Sequence, residues 1–554
     1  MGKRSSRRRP TRSTGIMPVQ RHRKRRRQTG GPWRKPPFSQ LNRLKQRQRR
    51  RRRRRQIGAL SNPPFSELIT CKQDEGGDSR AGKTTRSCIP HLPEDIWHHI
   101  HSLMPMHDAA RAACLSKAFL CFWRRHPNLI LTKDTIGLNA SACGGNFSRK
   151  IDYVLKNHSG IGVKIFRLEY VGVVGFDASR YLESWFQLVK PGIEELTLKL
   201  CKTEREYNFP CSLLSSDDGI QNSIRLLNLS FCAFHPTAEL SPLRSLTGLR
   251  LSHVNITGKE LQCFLSNSPA LEQLHLFSCM GIICLKIPCS LQKLNYLCVF
   301  GCFNLKVLEN KAPNLSGFYL REERRLKLSL GDTSHMKKLN MEHMNLAHYV
   351  RAVLPPIMPN LETLYISSGG EVIDTPMLPT KFLYLKHLTI CFPSGLTFSP
   401  SYDYFSLVSF LDASPSLETF ILDMYRPCMK QQESVFKKSP DWRQIPENRH
   451  DNLKSVKITG FSSAKSLVEL TYYILKNMVS LESLTLDTIY GNLRCYLKPF
   501  VRCDPMSEDT LMEAPRALSA IRTYIENKVP STVKLTVLEP CSQCHAKGLK
   551  RILC

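Results

Sequence analysis

A six-residue pattern, apolar-x-x-apolar-x-apolar, recurs along most of the chain and limits its fold more than any other feature. It stands at Ile193-Leu196-Leu198, Ile224-Leu227-Leu229, Leu246-Leu249-Leu251, Leu271-Leu274-Leu276, Leu294-Leu297-Val299, Leu315-Phe318-Leu320, Met336-Leu339-Met341, Leu361-Leu364-Ile366 and Leu385-Leu388-Ile390. Later copies are Leu417-Phe420-Leu422, Leu453-Val456-Ile458 and Leu481-Leu484-Leu486, and Val163-Phe166-Leu168 starts the series. The copies begin roughly 21 to 36 residues apart, the period of a solenoid. In a strand, residues i and i+2 point to the same face, so the last two apolar residues of each copy enter a core together. A single copy cannot hide that face. Stacked copies can, and they form a parallel sheet along the inner side of an arc. The residues between the core positions then face outward on the concave side: Asn228, Arg250, His275, Tyr319, Asn340 and Tyr365. Such a mixed polar and aromatic row suits a protein or peptide ligand, although any one of these residues also fits a solvated sheet.

Cys201, Cys232, Cys279 and Cys302 each stand three residues after the last core position of a copy. With this feature the pattern resembles the leucine-rich repeat, whose consensus carries Asn or Cys there. These thiols are expected as buried small side chains at the turn after each strand. Zinc or disulfides are the sharper alternatives, but ladder spacing is not ligand spacing. The 21 cysteines are odd in number and scattered. The start, MGKRSSRRRP, has a basic head without an apolar stretch, and no run of eighteen apolar residues occurs. These features lead to an expectation of free thiols in the nucleus or cytoplasm, with no membrane span.

Residues 92–127 have a different periodicity. Leu92-Pro93 opens a helix with Glu94 and Asp95 in its first turn, as the helix dipole favours. Ile96, Ile100 and Leu103 follow at i, i+4 and i+7 on one apolar face, and Pro105 breaks the helix. Asp108 is predicted to cap a second helix, Ala109 to Cys121, with Ala110, Ala113, Cys114 and Leu115 inward; Pro127 closes the unit. Helices this few and short bury too little area alone, so a partner should complete them. His98, His99 and His101 lack further metal ligands at workable spacing and read as a solvated face. Leu92-Pro93, Ile96, Ile100, Leu103, Pro105, Asp108, Leu115-Ser116-Lys117 and Trp123 together resemble the F-box. The resemblance implies an adaptor-binding surface that includes these residues and Cys114, docking a Skp-type adaptor and through it a cullin. Trp97 stands where the family usually has Leu, and Met104 precedes the Pro. An ordinary helical hairpin capping the solenoid is the plain alternative.

Residues 450–487 read as strand, loop, helix and strand, with Leu467, Leu470 and Ile474 on the helix face. Leu453-Lys454, Gly460-Phe461, Glu469-Leu470 and Leu481-Glu482 resemble the FBD block of plant F-box repeat proteins, which implies a solenoid end cap and a plant source.

Residues 1–55 hold 24 Lys and Arg and no Asp or Glu, so this tail alone supplies +24 of the net charge of +34, leaving +10 on the other 499 residues. Its clusters Arg7–Arg9, Arg21–Arg27 and Arg49–Arg55 repel one another, and the segment is expected to be disordered. Nuclear import or nucleic-acid binding through the tail and a solvated extension without a role both remain open. Gly2 to Ser6 also fits a myristoylation pattern. Gly77–Thr84 satisfies GxxxxGK[ST], but Pro90 stops the helix that a nucleotide site needs, leaving a flexible linker. Cys541-Ser542-Gln543-Cys544-His545 matches CxxCH without the pocket that haem requires and reads as a tail.

The expected organisation is α/β: a disordered Arg-rich tail (1–60), a linker (61–88), a short helical F-box module (89–130), a leucine-rich-repeat solenoid with parallel sheet (131–445), FBD-like repeats and cap (446–540) and a tail (541–554). No cofactor and no nucleophile–base–acid constellation emerge. The resemblance implies a non-catalytic subunit of a Skp-cullin-F-box ubiquitin ligase that recruits an unknown target. A repeat scaffold without a ligase role and a basic nuclear nucleic-acid-associated protein are the alternatives.

Overall fold

The computed structural model describes residues 92–541 apart from 138–143, 171–179, 190–191, 203–205, 215–219, 238–239, 323–325, 372, 394–401, 426–431, 438–441 and 491–505. The basic tail, the GxxxxGK[ST] match and most of CxxCH lie outside the described residues.

Three short helices come first: α1 (Glu94–Leu103), α2 (Met106–Ala112) and α3 (Lys117–Arg124). Pro105 ends one and begins the next, as its periodicity break implied. The single second helix expected over Ala109–Cys121 is instead two. Ser116 divides them, its Oγ accepting the Phe119 N–H at 3.1 Å as the N-cap of α3, because a hydroxyl at that position satisfies an otherwise orphaned amide. Pro105, not Asp108, is the N-cap of α2, and Asp108 lies in its first turn. The inward set also changes. Ala109 is fully buried, Ala110 and Ala113 are half-buried, and Cys114 and Leu115 are exposed. His101 is not solvated: it is buried between Phe119 and Phe122, with ring centroids at 5.2 and 5.6 Å.

Behind the helices, fifteen parallel strands pair in chain order as one sheet. They are β1 (Asn128–Thr132), β2 (Ile165–Glu169), β3 (Glu195–Lys199), β4 (Leu226–Ser230), β5 (Gly248–Ser252), β6 (Gln273–Phe277), β7 (Tyr296–Phe300), β8 (Gly317–Arg321), β9 (Lys338–Met344), β10 (Thr363–Gly369), β11 (His387–Phe392), β12 (Thr419–Met424), β13 (Ser455–Thr459), β14 (Ser483–Asp487) and β15 (Lys534–Leu538). Every triplet read from the sequence is buried. Two strands escaped that reading. β1 has buried Leu129 and Leu131, but the buried polar His126 takes the first position of its triplet. In β15, Leu535 and Val537 follow Thr532, so that triplet also lacks its leading apolar residue.

The unequal repeat lengths have a structural cause. Short copies return along the outer side as Cys284–Ile287, Val307–Asn310 and Lys327–Ser329, a second parallel sheet of three strands. Several longer copies return through helices, although the long one from Leu417 to Leu453 has none among its described residues. The helices include α4 (Gly258–Ser266), closed by a reciprocal Thr257–Glu260 capping box, α5 (Leu346–Ile357), α6 (Val408–Ala413) and α7 (Lys465–Asn477). Buried Arg351 on α5 ties this layer together, donating to Ser409 O (2.9 Å), Thr380 Oγ1 (3.1 Å) and Leu378 O (2.6 Å).

The FBD-like block continues the same sheet as β13 to β15. Leu467, Leu470 and Ile474 are the buried face of α7, as expected. Gly460 has φ +73°, and a Cβ there would meet Met424 O at 2.0 Å; only glycine fits the turn after β13. Asp412 of α6 binds the block to the preceding repeats. It accepts from Tyr473 Oη and lies 3.1 Å from His450 Nε2, while Asn448 Nδ2 donates to its other oxygen at 3.0 Å. Burial disfavours the Asp412 carboxylate, but these bonds outweigh it and hold its pKa below the ordinary value.

The ladder cysteines lie where the spacing put them. Cys232, Cys279 and Cys302 are buried, whereas Cys201 is half-buried and donates to Tyr170 O at 2.8 Å. Burial raises the Cys232 thiol to about 12, which makes it an inert packing group. Among the described residues, no group of three or more His, Cys, Asp or Glu is placed to hold a metal ion, and no helix is long and apolar enough to cross a membrane.

Candidate functional site

The chain presents two surfaces suited to binding. The first lies on α1–α3. Trp97 and His101 on one side of α1 pack against Phe119 of α3, with centroids at 5.5 and 5.2 Å. The module therefore builds its core from aromatic rings. This turns the i, i+4, i+7 stripe outward: Ile96, Ile100 and Leu103 are 41%, 36% and 72% exposed, and Leu115 in the turn before α3 is 50% exposed. Four large aliphatic side chains thus lie exposed on one small unit. Pro93, Pro105, Asp108, Cys114 and Lys117 are exposed beside them, and Leu92 is half-exposed. Asp108 is within 3.8 Å of Arg111 Nη1, and Cys114 Sγ donates weakly to Ala110 O. Ser116 serves as the α3 cap. Trp123 is buried inside the chain, edge-on to His158 at 6.4 Å.

The module is joined to the sheet by histidines. His126 Nδ1 accepts the Asn128 N–H at 3.1 Å, leaving Nε2–H to donate to Met104 O at 3.2 Å. His158 Nδ1 accepts the Gly160 N–H at 3.0 Å and its Nε2–H donates to His126 O at 3.0 Å. Burial first, and neighbouring histidines next, lower both pKa values; the accepting carbonyls only partly oppose this.

The second surface is the concave sheet. Strand register places Asn228, Arg250 and His275 side by side. Cys298 follows, then Tyr319, Asn340 and Tyr365. All six residues read from the sequence thus lie in one row, with Cys298 as a seventh member. The reading missed the rows on either side, although the same alternation defines them. Phe277, Phe300 and Arg321 follow one another on the C-terminal side, and Tyr296 stands on the N-terminal side. The rings form a connected surface: His275–Tyr296 at 5.3 Å, His275–Phe277 at 6.1 Å, Phe277–Phe300 at 6.0 Å and Phe300–Tyr319 at 6.1 Å. Arg321 lies over Phe300 at 4.9 Å and pairs with Glu342 at 3.2 Å, which also accepts from Tyr319 Oη at 2.8 Å. Burial, with Arg250 beside it, lowers His275 to about 4, so its ring is neutral near pH 7.

Comparison with known proteins decides what this pairing of surfaces is. The model of the F-box domain matches residues 89–131, and that of the At1g61320/AtMIF1 LRR domain matches residues 154–542. The chain belongs to the F-box/leucine-rich-repeat family. The F-box/FBD/LRR-repeat protein At1g13570 of Arabidopsis thaliana is 25% identical over 418 residues, covering 72% of this chain and 91% of that protein. The F-box/LRR-repeat protein At4g14103 of the same plant is 26% identical over 376 residues, covering 61% of this chain and 91% of its own length. The FBD element and the plant relatives both agree with what the C-terminal block implied. Within this family, α1–α3 are the F-box and the fifteen-stranded sheet is the repeat array.

Proposed function

We propose that this chain is the substrate-recognition subunit of an SCF-type ubiquitin ligase, with the F-box docking a Skp-type adaptor and the concave sheet holding a target protein. The observation that carries this reading is the outward aliphatic stripe of Ile96, Ile100, Leu103 and Leu115. The exposed fractions of these side chains amount to about two whole residues, so covering them contributes on the order of 3–6 kcal/mol. The chain performs no chemistry itself. It supplies proximity, holding target lysines near the transfer machinery of its partners, in the nucleus or cytoplasm. The test is co-elution of the full chain with a purified Skp-type adaptor and cullin. A joint peak that disappears with Leu92→Ala/Pro93→Ala supports the reading. A folded chain that elutes alone leaves a repeat-based scaffold without a ligase role.

A further inference from the structure

Resting on the proposed role of the concave sheet, we infer that the target docks there through an extended segment that places an acidic side chain next to aromatic or aliphatic ones, across β5 to β8. The connected rings lie on β6 to β8, and Tyr365 stands apart from them on β10. The corresponding rows on β11 to β14 carry mainly small or polar residues such as Thr389, Thr419, Ser455, Thr459, Ser483 and Thr485. Aromatic rings are the groups that anchor protein interfaces.

Charge gives the second half of the argument. On β4 to β7, none of the residues facing the concave side is acidic. Exposed Arg250 therefore has no carboxylate on its own or neighbouring strands, whereas Arg321 is already engaged by Glu342. A segment crossing the row supplies a carboxylate to Arg250. The chain's own residues 1–55 do not fit, because their 24 cations and no acids oppose Arg250. Single-stranded nucleic acid fits less well. It needs several free cations along its backbone, and the Glu342 carboxylate stands beside the patch on β9.

The test is selection of a random peptide library on the full chain, followed by affinity measurement with the winning peptide. The expected consensus has Asp or Glu within a few residues of an aromatic or aliphatic residue. Arg250→Glu and Phe300→Ala should each weaken the peptide by about tenfold or more, with unchanged thermal midpoints and unchanged adaptor binding. A Lys457→Glu control, farther along the arc, should leave affinity unaltered. Basic or uncharged consensus peptides, insensitivity to Arg250→Glu, failure to select any peptide, tighter binding of oligo(U), or self-association through this face would each overturn the inference. Adaptor binding is measured separately, so loss of the ligase reading remains distinguishable from loss of this one.

Discussion

Acidification should weaken this fold through two histidines at the junction of the F-box and the sheet. His126 and His158 are buried, and each uses one ring nitrogen to accept a backbone N–H and the other to donate to a carbonyl. A second proton on either ring breaks the accepting bond and places a charge where burial already disfavours it. Both folded pKa values lie below 6.5, so the neutral forms stabilise the folded state. That contribution is complete above about pH 6.5 and is lost as pH falls through the lowered values. Each histidine changes stability by at most about 1.4 kcal/mol per pH unit, and the two together by at most about 2.7 kcal/mol per unit. His101 faces the same region, and burial first, then His126 beside it, lowers its pKa as well. Urea unfolding followed by tryptophan fluorescence is a suitable assay, because Trp123 lies edge-on to His158. The variant His126→Gln/His158→Gln should lose less stability than the wild type between about pH 7.5 and pH 5. Identical losses in the two proteins would refute the reasoning, since carboxylates elsewhere titrate equally in both.

Other perturbations test the packing. Leu274→Ala, in the middle of the array, should destabilise by about 2–5 kcal/mol in denaturant unfolding; a change near zero would mean that the strand is not buried on this face. Gly460→Ala should be at least as damaging in the same assay, because its Cβ meets Met424 O in a left-handed turn, and a tolerated alanine would contradict that turn. Arg351→Met removes the side-chain donor to Leu378 O, Thr380 Oγ1 and Ser409 O and should lower stability by about 2–4 kcal/mol, whereas an unchanged midpoint would show that removing the buried charge offsets them. Ser278 has φ +51°, so Ser278→Gly should raise stability by up to about 1 kcal/mol, and a lower thermal midpoint would count against strain there.

The repeat array was legible because its period is strong. An apolar pair at i and i+2, repeated over many copies, has few physical solutions, and the register followed from it. His126 and Thr532 hid the two end strands, since a terminal rung has a neighbour on one side only and tolerates a polar first residue. The F-box helices were harder to read. Their apolar stripe reads as a partner-facing surface and lies exposed, but the core of Trp97, His101, Phe119 and Phe122 was not legible. Periodicity identifies a face but does not say whether this chain or another covers it. The break at Ser116 was missed because a capping serine inside a helical pattern resembles an ordinary helix residue. Reading only the middle concave row left out Tyr296, Phe277 and Phe300, although alternation places them on the same side of the sheet.

The most direct test of the central claim is calorimetric titration of the full chain with a purified Skp-type adaptor, beside Leu103→Glu. The account predicts a one-to-one complex that Leu103→Glu weakens by at least about tenfold from lost apolar burial alone, with the unfolding midpoint unchanged. No heat of binding from the folded wild type, or equal affinity in the variant, would contradict it.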